Sequence, residues 1–196
     1  MGNIGIIGRA RVGKDTAGKW LVEERGYRRV AFADPLRECA LALDPIVDVI
    51  EYGDDVERLS QLVARIGWEA AKGRNPEVRD TLQRIGQGVR AIDEEFWLRT
   101  ALKNVNAANE AGVPAVVTDV RYRNEAASLM RSGFHLIHIA RPGVPQLDHE
   151  SENSLGPEDA HFLVVNDGDV EHLHEQLERI WEDIAAIESA RHSARL

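Results

Sequence analysis

One cysteine, Cys39, is all that the chain of 196 residues contains, so no internal disulfide can form and the core must rest on apolar packing. Positive charge is also scarce. The 24 Lys and Arg against 33 Asp and Glu leave a net charge of -9, the wrong sign for a general binder of nucleic acid or of acidic membranes. Any anionic ligand must therefore be held by locally clustered arginines. No apolar run approaches a membrane span, and the N-terminus lacks the charged-then-apolar pattern of a secretory signal. The seven histidines carry no zinc spacing: His172 and His174 do not share a helix face, and there is no paired cysteine. His149-Glu150-Ser151-Glu152 has no nucleophile beside it and reads as a loop running into a helix cap. Internal repeats and low-complexity blocks are absent. These exclusions leave an intracellular, cytoplasmic globular chain, of a length suited to one domain, whose 43% hydrophobic residues suffice for a core.

What is present alternates. Apolar runs rich in Val, Ile and Phe occur at Asn3 to Ile7, Arg29 to Phe32, Ala115 to Thr118, Leu136 to Ala140 and Phe162 to Val165, with helical sequence between them. Parallel strands need long crossovers, so this order predicts an α/β fold: a five-stranded parallel sheet flanked by helices. Residues 34–112 between the second and third strands form a mostly helical insertion, the expected place for substrate recognition. Within it, Leu59, Leu62, Val63, Ile66 and Ala70 predict a helix from Val56 with a core-facing stripe. Val170, Leu173, Leu177, Ile180, Ile184 and Ile187 predict a closing helix behind an Asp169 N-cap. One domain is expected over 1–188, with 189–196 a fraying tail.

Three constellations carry chemistry. Gly8-Arg9-Ala10-Arg11-Val12-Gly13-Lys14-Asp15-Thr16 is a GxxxxGK loop set between a predicted strand and a predicted helix. Its backbone N–H groups and the helix N-terminus suit phosphates, Lys14 suits the β- and γ-phosphates of a nucleotide, and Thr16 suits Mg²⁺. Asp15 suits the metal shell or the acceptor. Val116-Val117-Thr118-Asp119 ends a strand in a carboxylate at the sheet edge where ligands gather, so Asp119 is a second metal candidate, with helix capping the plainer alternative. The third is a helix from Arg79 to Arg90. Spacing of 3.6 residues per turn puts Leu82, Ile85 and Val89 on its buried side and Arg79, Gln83, Gly86 and Arg90 along a neighbouring ridge. Two arginines there could grip a phosphate and Gln83 a base edge, while Gly86, which costs about 1 kcal/mol in mid-helix relative to Ala, permits close approach. A solvated polar face is the alternative. Arg121, Arg123 and Arg141 stand near strand ends, where phosphoryl transfer needs a cationic clamp. Phe96-Trp97 either stacks on a base or fills core.

These motifs together resemble the deoxynucleoside monophosphate kinase family of tailed bacteriophages, a branch of the P-loop kinases. The resemblance runs from Ile4 to the C-terminal helix. It covers Gly8 to Thr16, Ala33-Asp34-Pro35-Leu36-Arg37, Val78-Arg79 with Leu82-Gln83 and Ile85-Gly86, and Phe96-Trp97. It continues through Thr118 to Arg121 with Asn124-Glu125, His138 to Gly143, His149 with Ser151-Glu152, and Asn166-Asp167-Gly168. It implies a P-loop kinase fold, Mg²⁺ as cofactor, and ATP and a deoxynucleoside monophosphate as partners, in host cytoplasm if phage-encoded. Homodimer formation stays open. By this resemblance Lys14, Arg79 and Arg121 are catalytic. Gly8, Arg11, Gly13, Lys14, Asp15, Thr16, Asn166 and Gly168 bind ATP; Asp15, Asp34, Arg37, Arg79, Gln83, Arg90 and Trp97 bind the acceptor. Two rivals remain from the residues themselves: a kinase for a hydroxyl acceptor, with Asp34 as base, and a non-catalytic ATP-binding module.

Overall fold

The computed structural model describes residues 2–49, 56–145 and 154–194. Two compact units result, one made of Met1–Ala31 with Leu102–Leu196 and the other of Phe32–Ala101.

The first unit is built on a five-stranded parallel sheet. Its strands are β1 (Ile4–Ile7), β2 (Arg28–Val30), β5 (Ala115–Val117), β6 (His135–Ala140) and β7 (Phe162–Val165), in the order β2-β5-β1-β6-β7. All five expected strands are present. β1 is central and wholly buried, which is why it reads as an unbroken apolar run rather than an alternating one. Helix α1 (Lys14–Arg25) and the C-terminal helix α7 (Val170–Ser193) share one core with the sheet through Ala17, Trp20, Leu21, Leu173, Leu177 and Ile184. Between these two helices the Arg25 guanidinium lies 4.9 Å from the Trp20 ring centre and 4.7 Å from that of Trp181, and pairs with Glu178. Helix α6 (Arg123–Arg131) connects β5 to β6. At the sheet's edge, Val165 of β7 donates its N–H to Gln176 Oε1 at 3.2 Å and accepts from Gln176 Nε2 at 2.9 Å.

Asp169 caps α7 as expected, accepting from His172 N at 2.9 Å. The helix does not stop at 188, however. It continues to Ser193, because the last turn has its own bonds: Arg191 pairs with Glu188 at 2.7 Å and Ser193 Oγ donates to Ser189 O at 3.0 Å. The apolar stripe ends near Ile187, but backbone bonding does not depend on it.

The second unit holds α2 (Ala33–Leu43), a two-stranded antiparallel hairpin of β3 (Ile46–Val49) and β4 (Val56–Arg58), α3 (Leu59–Arg74) and α4 (Pro76–Ile92). Helix α5 (Phe96–Glu110) belongs partly to each unit. Ala40, Val47, Leu59, Leu62, Ala71 and Val78 form its core. The hairpin corrects the expectation of a helix from Val56. Arg58 is extended, and α3 starts only at Leu59, where Asp44 Oδ1 accepts from Ser60 N at 2.9 Å and Gln61 Oε1 accepts from Arg58 N at 2.9 Å. Those two acceptors satisfy orphan donors of the first turn, which fixes the start. Gly67, at φ 75°, then breaks α3 in the middle of its apolar stripe. Asn75 opens α4 by accepting from Glu77 N at 2.9 Å, with Pro76 at the first helical position.

Candidate functional site

The glycine loop has a shape that only certain residues can take. Gly8 leaves β1 at φ 139°, and a Cβ there would lie 2.3 Å from Ile139 O, so the loop presses directly on β6. Gly13, at φ 108°, is the last residue before α1. Between them Arg11 adopts φ 64°, a left-handed conformation that is uncommon outside glycine. Lys14 Nζ donates back across the loop, to Gly8 O at 2.6 Å and Arg9 O at 2.5 Å. Since α1 begins at Lys14, the first N–H groups of the helix and the positive end of its dipole adjoin the loop.

Asn166, just past β7, supports this shape. It is buried, its Nδ2 donates to Val12 O at 2.8 Å, and the same nitrogen stands 2.6 Å from where a Gly13 Cβ would be. Its amide is engaged with the loop. Gly168 sits against His172, where a Cβ would come within 3.0 Å of the imidazole side chain.

Asp119 follows β5, which runs parallel to β1 with Gly5 opposite Val117, so the carboxylate emerges at the same edge from which Gly8 departs. Thr118 is buried and its Cγ2 lies 2.5 Å from the position a Gly18 Cβ would take, which packs α1 onto the end of β5. This brings the first turn of α1, with Asp15 and Thr16, to one corner with Asp119. Tyr122, three positions beyond Asp119, is the N-cap residue of α6. The turn is shaped by Glu125, a buried carboxylate whose Oε2 accepts from Arg121 N at 2.9 Å and Tyr122 N at 3.1 Å. Glu125 thereby holds the backbone of Arg121 and Tyr122 in place. Its three-residue spacing from Tyr122, an acid at the third helical position, is a signal that sequence can supply. Among the described residues no group of three His, Cys, Asp or Glu could hold a metal ion. A hydroxyl and one carboxylate beside a phosphate cradle nevertheless match magnesium, which keeps waters and substrate phosphates as most of its ligands.

The remaining predicted residues lie in the second unit. Arg37 is half-buried, 3.8 Å from Asp34 Oδ1 and 3.2 Å from Glu69 Oε1, with its guanidinium 5.7 Å from the Trp68 ring. Lys72 also reaches Glu69, at 2.7 Å, and its hydrogen bond holds the Glu69 carboxyl below the usual range, against partial burial. Trp68 and Glu69 fall in a stretch where sequence gave no functional sign.

On α4, Val78 and Thr81 are the most buried residues, with Leu82 and Ile85 packed beside them. The side chains of Arg79 and Gln83 are exposed and form no hydrogen bond or ion pair among the described residues, whereas Arg84, off the ridge, is paired with Glu77. A Cβ on Gly86 would meet nothing nearer than Leu36 Cδ2 at 3.5 Å, an ordinary contact, so packing within the chain does not demand glycine there. Trp97 departs from the expectation of an acceptor-stacking ring. It is buried, and its Nε1 donates to Gly86 O at 3.2 Å. Its burial matches the core-filling alternative; the exposed aromatic is Phe96, edge-on to it at 5.0 Å. His149, Ser151 and Glu152 lie outside the described residues.

A family model described as deoxynucleotide monophosphate kinase matches residues 63–177. A protein of Acanthamoeba polyphaga mimivirus, provisionally named a deoxynucleotide monophosphate kinase, is 30% identical over 185 residues, covering 89% of this chain and 93% of its own. The deoxynucleotide monophosphate kinase of Escherichia phage RB69 is 29% identical over 107 residues, 53% of this chain and 44% of the phage protein. Among solved structures, a dephospho-CoA kinase from Campylobacter jejuni superposes with a TM-score of 0.54 at 10% identity, covering 95% of this chain and 98% of the other. That last likeness concerns the fold.

Proposed function

The chain belongs to the deoxynucleotide monophosphate kinase family and is an ATP-dependent nucleotide kinase, and from that premise we propose that it transfers the γ-phosphate of Mg-ATP to a deoxynucleoside monophosphate. An acceptor phosphate oxygen attacks the γ-phosphorus in line. The bond from that phosphorus to the β–γ bridging oxygen breaks, giving ADP and a deoxynucleoside diphosphate. The attacking oxygen is already anionic, so no general base is needed, and the work is to align two anions and offset their charge.

In this reading the loop and α1 hold the donor phosphates, and Lys14 moves from the Gly8 and Arg9 carbonyls onto them. Thr16 and Asp119 would hold Mg²⁺, which supplies charge neutralisation at the transferring group. Arg121, aimed by Glu125, serves the same charge. Arg79 grips the acceptor phosphate, Gln83 meets its base, and Arg37, oriented by Asp34 and Glu69, borders the monophosphate.

The observation that carries the acceptor assignment is the contrast on α4: Arg84 is paired with Glu77, while the side chains of Arg79 and Gln83 have no partner among the described residues and stand on the ridge with a glycine that packing does not require. The test is a coupled assay of ADP release with each common deoxy- and ribonucleoside monophosphate, alongside gluconate and dephospho-CoA. Deoxynucleoside monophosphates are expected to stimulate turnover. Use of a hydroxyl acceptor alone, or ATP binding that no acceptor converts to turnover, overturns the proposal.

A further inference from the structure

Helix α3 cannot keep one face to the core along its whole length. Residues seven apart lie on nearly the same side of an α-helix, so an unbroken α3 would put Trp68 in line with the exposed Gln61 and Glu69 in line with Leu62, which is 4% exposed. That arrangement turns an indole to solvent and a carboxylate inward. The structure has the reverse. Trp68 packs against the core of the second unit, Ala71 is buried beyond it, and the Glu69 side chain is 80% exposed.

The exchange is made at Gly67. Its φ of 75° and ψ of 162° fall in a region of backbone space that is essentially glycine's alone. Close packing does not require glycine here, since a Cβ would meet nothing within 4 Å among the described residues. What the residue supplies is a change of phase between two helical segments, residues 59–66 and 68–74.

The second segment meets Arg37 of α2 with both of its leading side chains. The guanidinium lies 5.7 Å from the Trp68 ring centre, and its Nη2 donates to Glu69 Oε1 at 3.2 Å. Lys72, one turn on, pairs with the same oxygen at 2.7 Å. An arginine side chain has many rotamers, and ordering it when a ligand binds costs free energy. Here a ring and a carboxylate order it in advance. The ion pair alone contributes little, because Glu69 is largely in water; the packed indole gives the guanidinium a fixed surface to lie against.

We propose, on the reading that Arg37 borders the acceptor's monophosphate, that Gly67 is a positioning residue of the acceptor site: by re-phasing α3 it brings Trp68 and Glu69 onto Arg37 and holds that guanidinium ready for the phosphate. Two measurements on the full-length protein test this. In the first, the ring current of Trp68 is read from the Arg37 Nε–H signal of ¹⁵N-arginine-labelled protein, identified by its loss in Arg37→Ala. The signal is expected to move in Gly67→Ala, because alanine favours the unbroken helix that glycine interrupts. It is expected to move in Trp68→Leu also, and to return toward its wild-type position in Trp68→Phe.

In the second, ATP and a deoxynucleoside monophosphate are varied in turn. Gly67→Ala and Trp68→Leu are each expected to raise the acceptor KM at least about five-fold, with the ATP KM within about two-fold of wild type. In the Arg37→Ala background neither adds more than about two-fold, since both act through Arg37. Where Gly67→Ala does not fold, Trp68→Leu, which keeps apolar packing, carries the kinetic test. An Arg37 signal that stays in place in folded Gly67→Ala overturns the proposal alone, as does an acceptor KM that Arg37→Ala raises and Trp68→Leu leaves unchanged. Effects that multiply with that of Arg37→Ala do the same. An acceptor KM unmoved by Arg37→Ala overturns the reading of the acceptor site as well.

Discussion

Asn166 and Val12, 154 positions apart in sequence, are joined by a buried hydrogen bond of 2.8 Å that fixes the loop from outside it. Replacing Asn166 with Ala leaves the Val12 carbonyl without its partner, at a cost of about 1–3 kcal/mol. The expected result is a KM for ATP raised by roughly ten-fold or more, the equivalent of about 1.4 kcal/mol, with the acceptor KM unchanged. Steady-state kinetics with each substrate varied in turn checks this. An unaltered ATP KM would show that the loop holds its shape without the bond.

Gly13 depends on the same bond. Gly13→Ala forces a side chain into a left-handed conformation, worth about 1–3 kcal/mol, and drives its Cβ against Asn166. Loss of ATP binding is expected. Adding Asn166→Ala to Gly13→Ala removes the clash but not the backbone strain, so calorimetric titration with ATP should show partial recovery in the double variant. Recovery to the wild-type affinity would mean that strain contributes nothing.

Arg79→Ala separates the two substrates. Loss of one charge-stabilising donor is expected to lower turnover by about 10² to 10³-fold while ATP affinity stays within roughly a factor of two. Lys14→Ala damages both. Parallel loss of ATP affinity and turnover in Arg79→Ala would place Arg79 on the donor instead.

Trp97 ties α5 to α4 by its bond to Gly86 O. Trp97→Phe keeps most of the buried ring but removes the donor to Gly86 O, and is expected to cost about 1 kcal/mol of stability and raise the acceptor KM several-fold. A change in the ATP KM instead would contradict the placement. Denaturant unfolding and acceptor titration together make the measurement.

Two histidines on or beside β6 are expected to make the fold acid-sensitive. His138 and His161 both titrate below the ordinary 6.5, chiefly because desolvation disfavours the charged ring; at His138 the Glu158 and Asp159 carboxylates oppose this and Arg9 and Lys14 add to it, while at His161 the neighbouring His135 and Arg191 add to it. His161 Nδ1 also accepts from Leu136 N at 3.0 Å, a bond that protonation there would destroy. A group whose pKa is depressed on folding binds more protons when unfolded, so its contribution is intact above 6.5 and is lost as pH falls below it. Melting temperature should therefore decline between about pH 7 and 5.5, before carboxylates titrate, and His138→Gln with His161→Gln should flatten that slope. A flat wild-type profile over this window would refute the linkage.

Parts of this architecture were readable from sequence for definite reasons. β1, β5 and β6 are buried along almost their whole length, so each appears as an apolar run, and the loop has glycine at two of its three positive-φ positions, Gly8 and Gly13. The α4 ridge followed from helical spacing alone. Val56–Arg58 was misread because a short strand leading into a helix shares its apolar residues with that helix. The roles of Asn166 and Trp97 stayed hidden because each depends on a single bond to a distant backbone carbonyl, which no spacing rule encodes.

Gln176 ends the sheet as well as decorating it. An incoming strand pairing with β7 would need the N–H and C=O of Val165, yet one amide from α7 already occupies both. A copy of this chain arriving there must break two bonds to make two. Side by side with the exposed Leu163 and Val165 side chains, this counterfeit one-residue strand removes the hydrogen-bonding incentive for edge-to-edge growth.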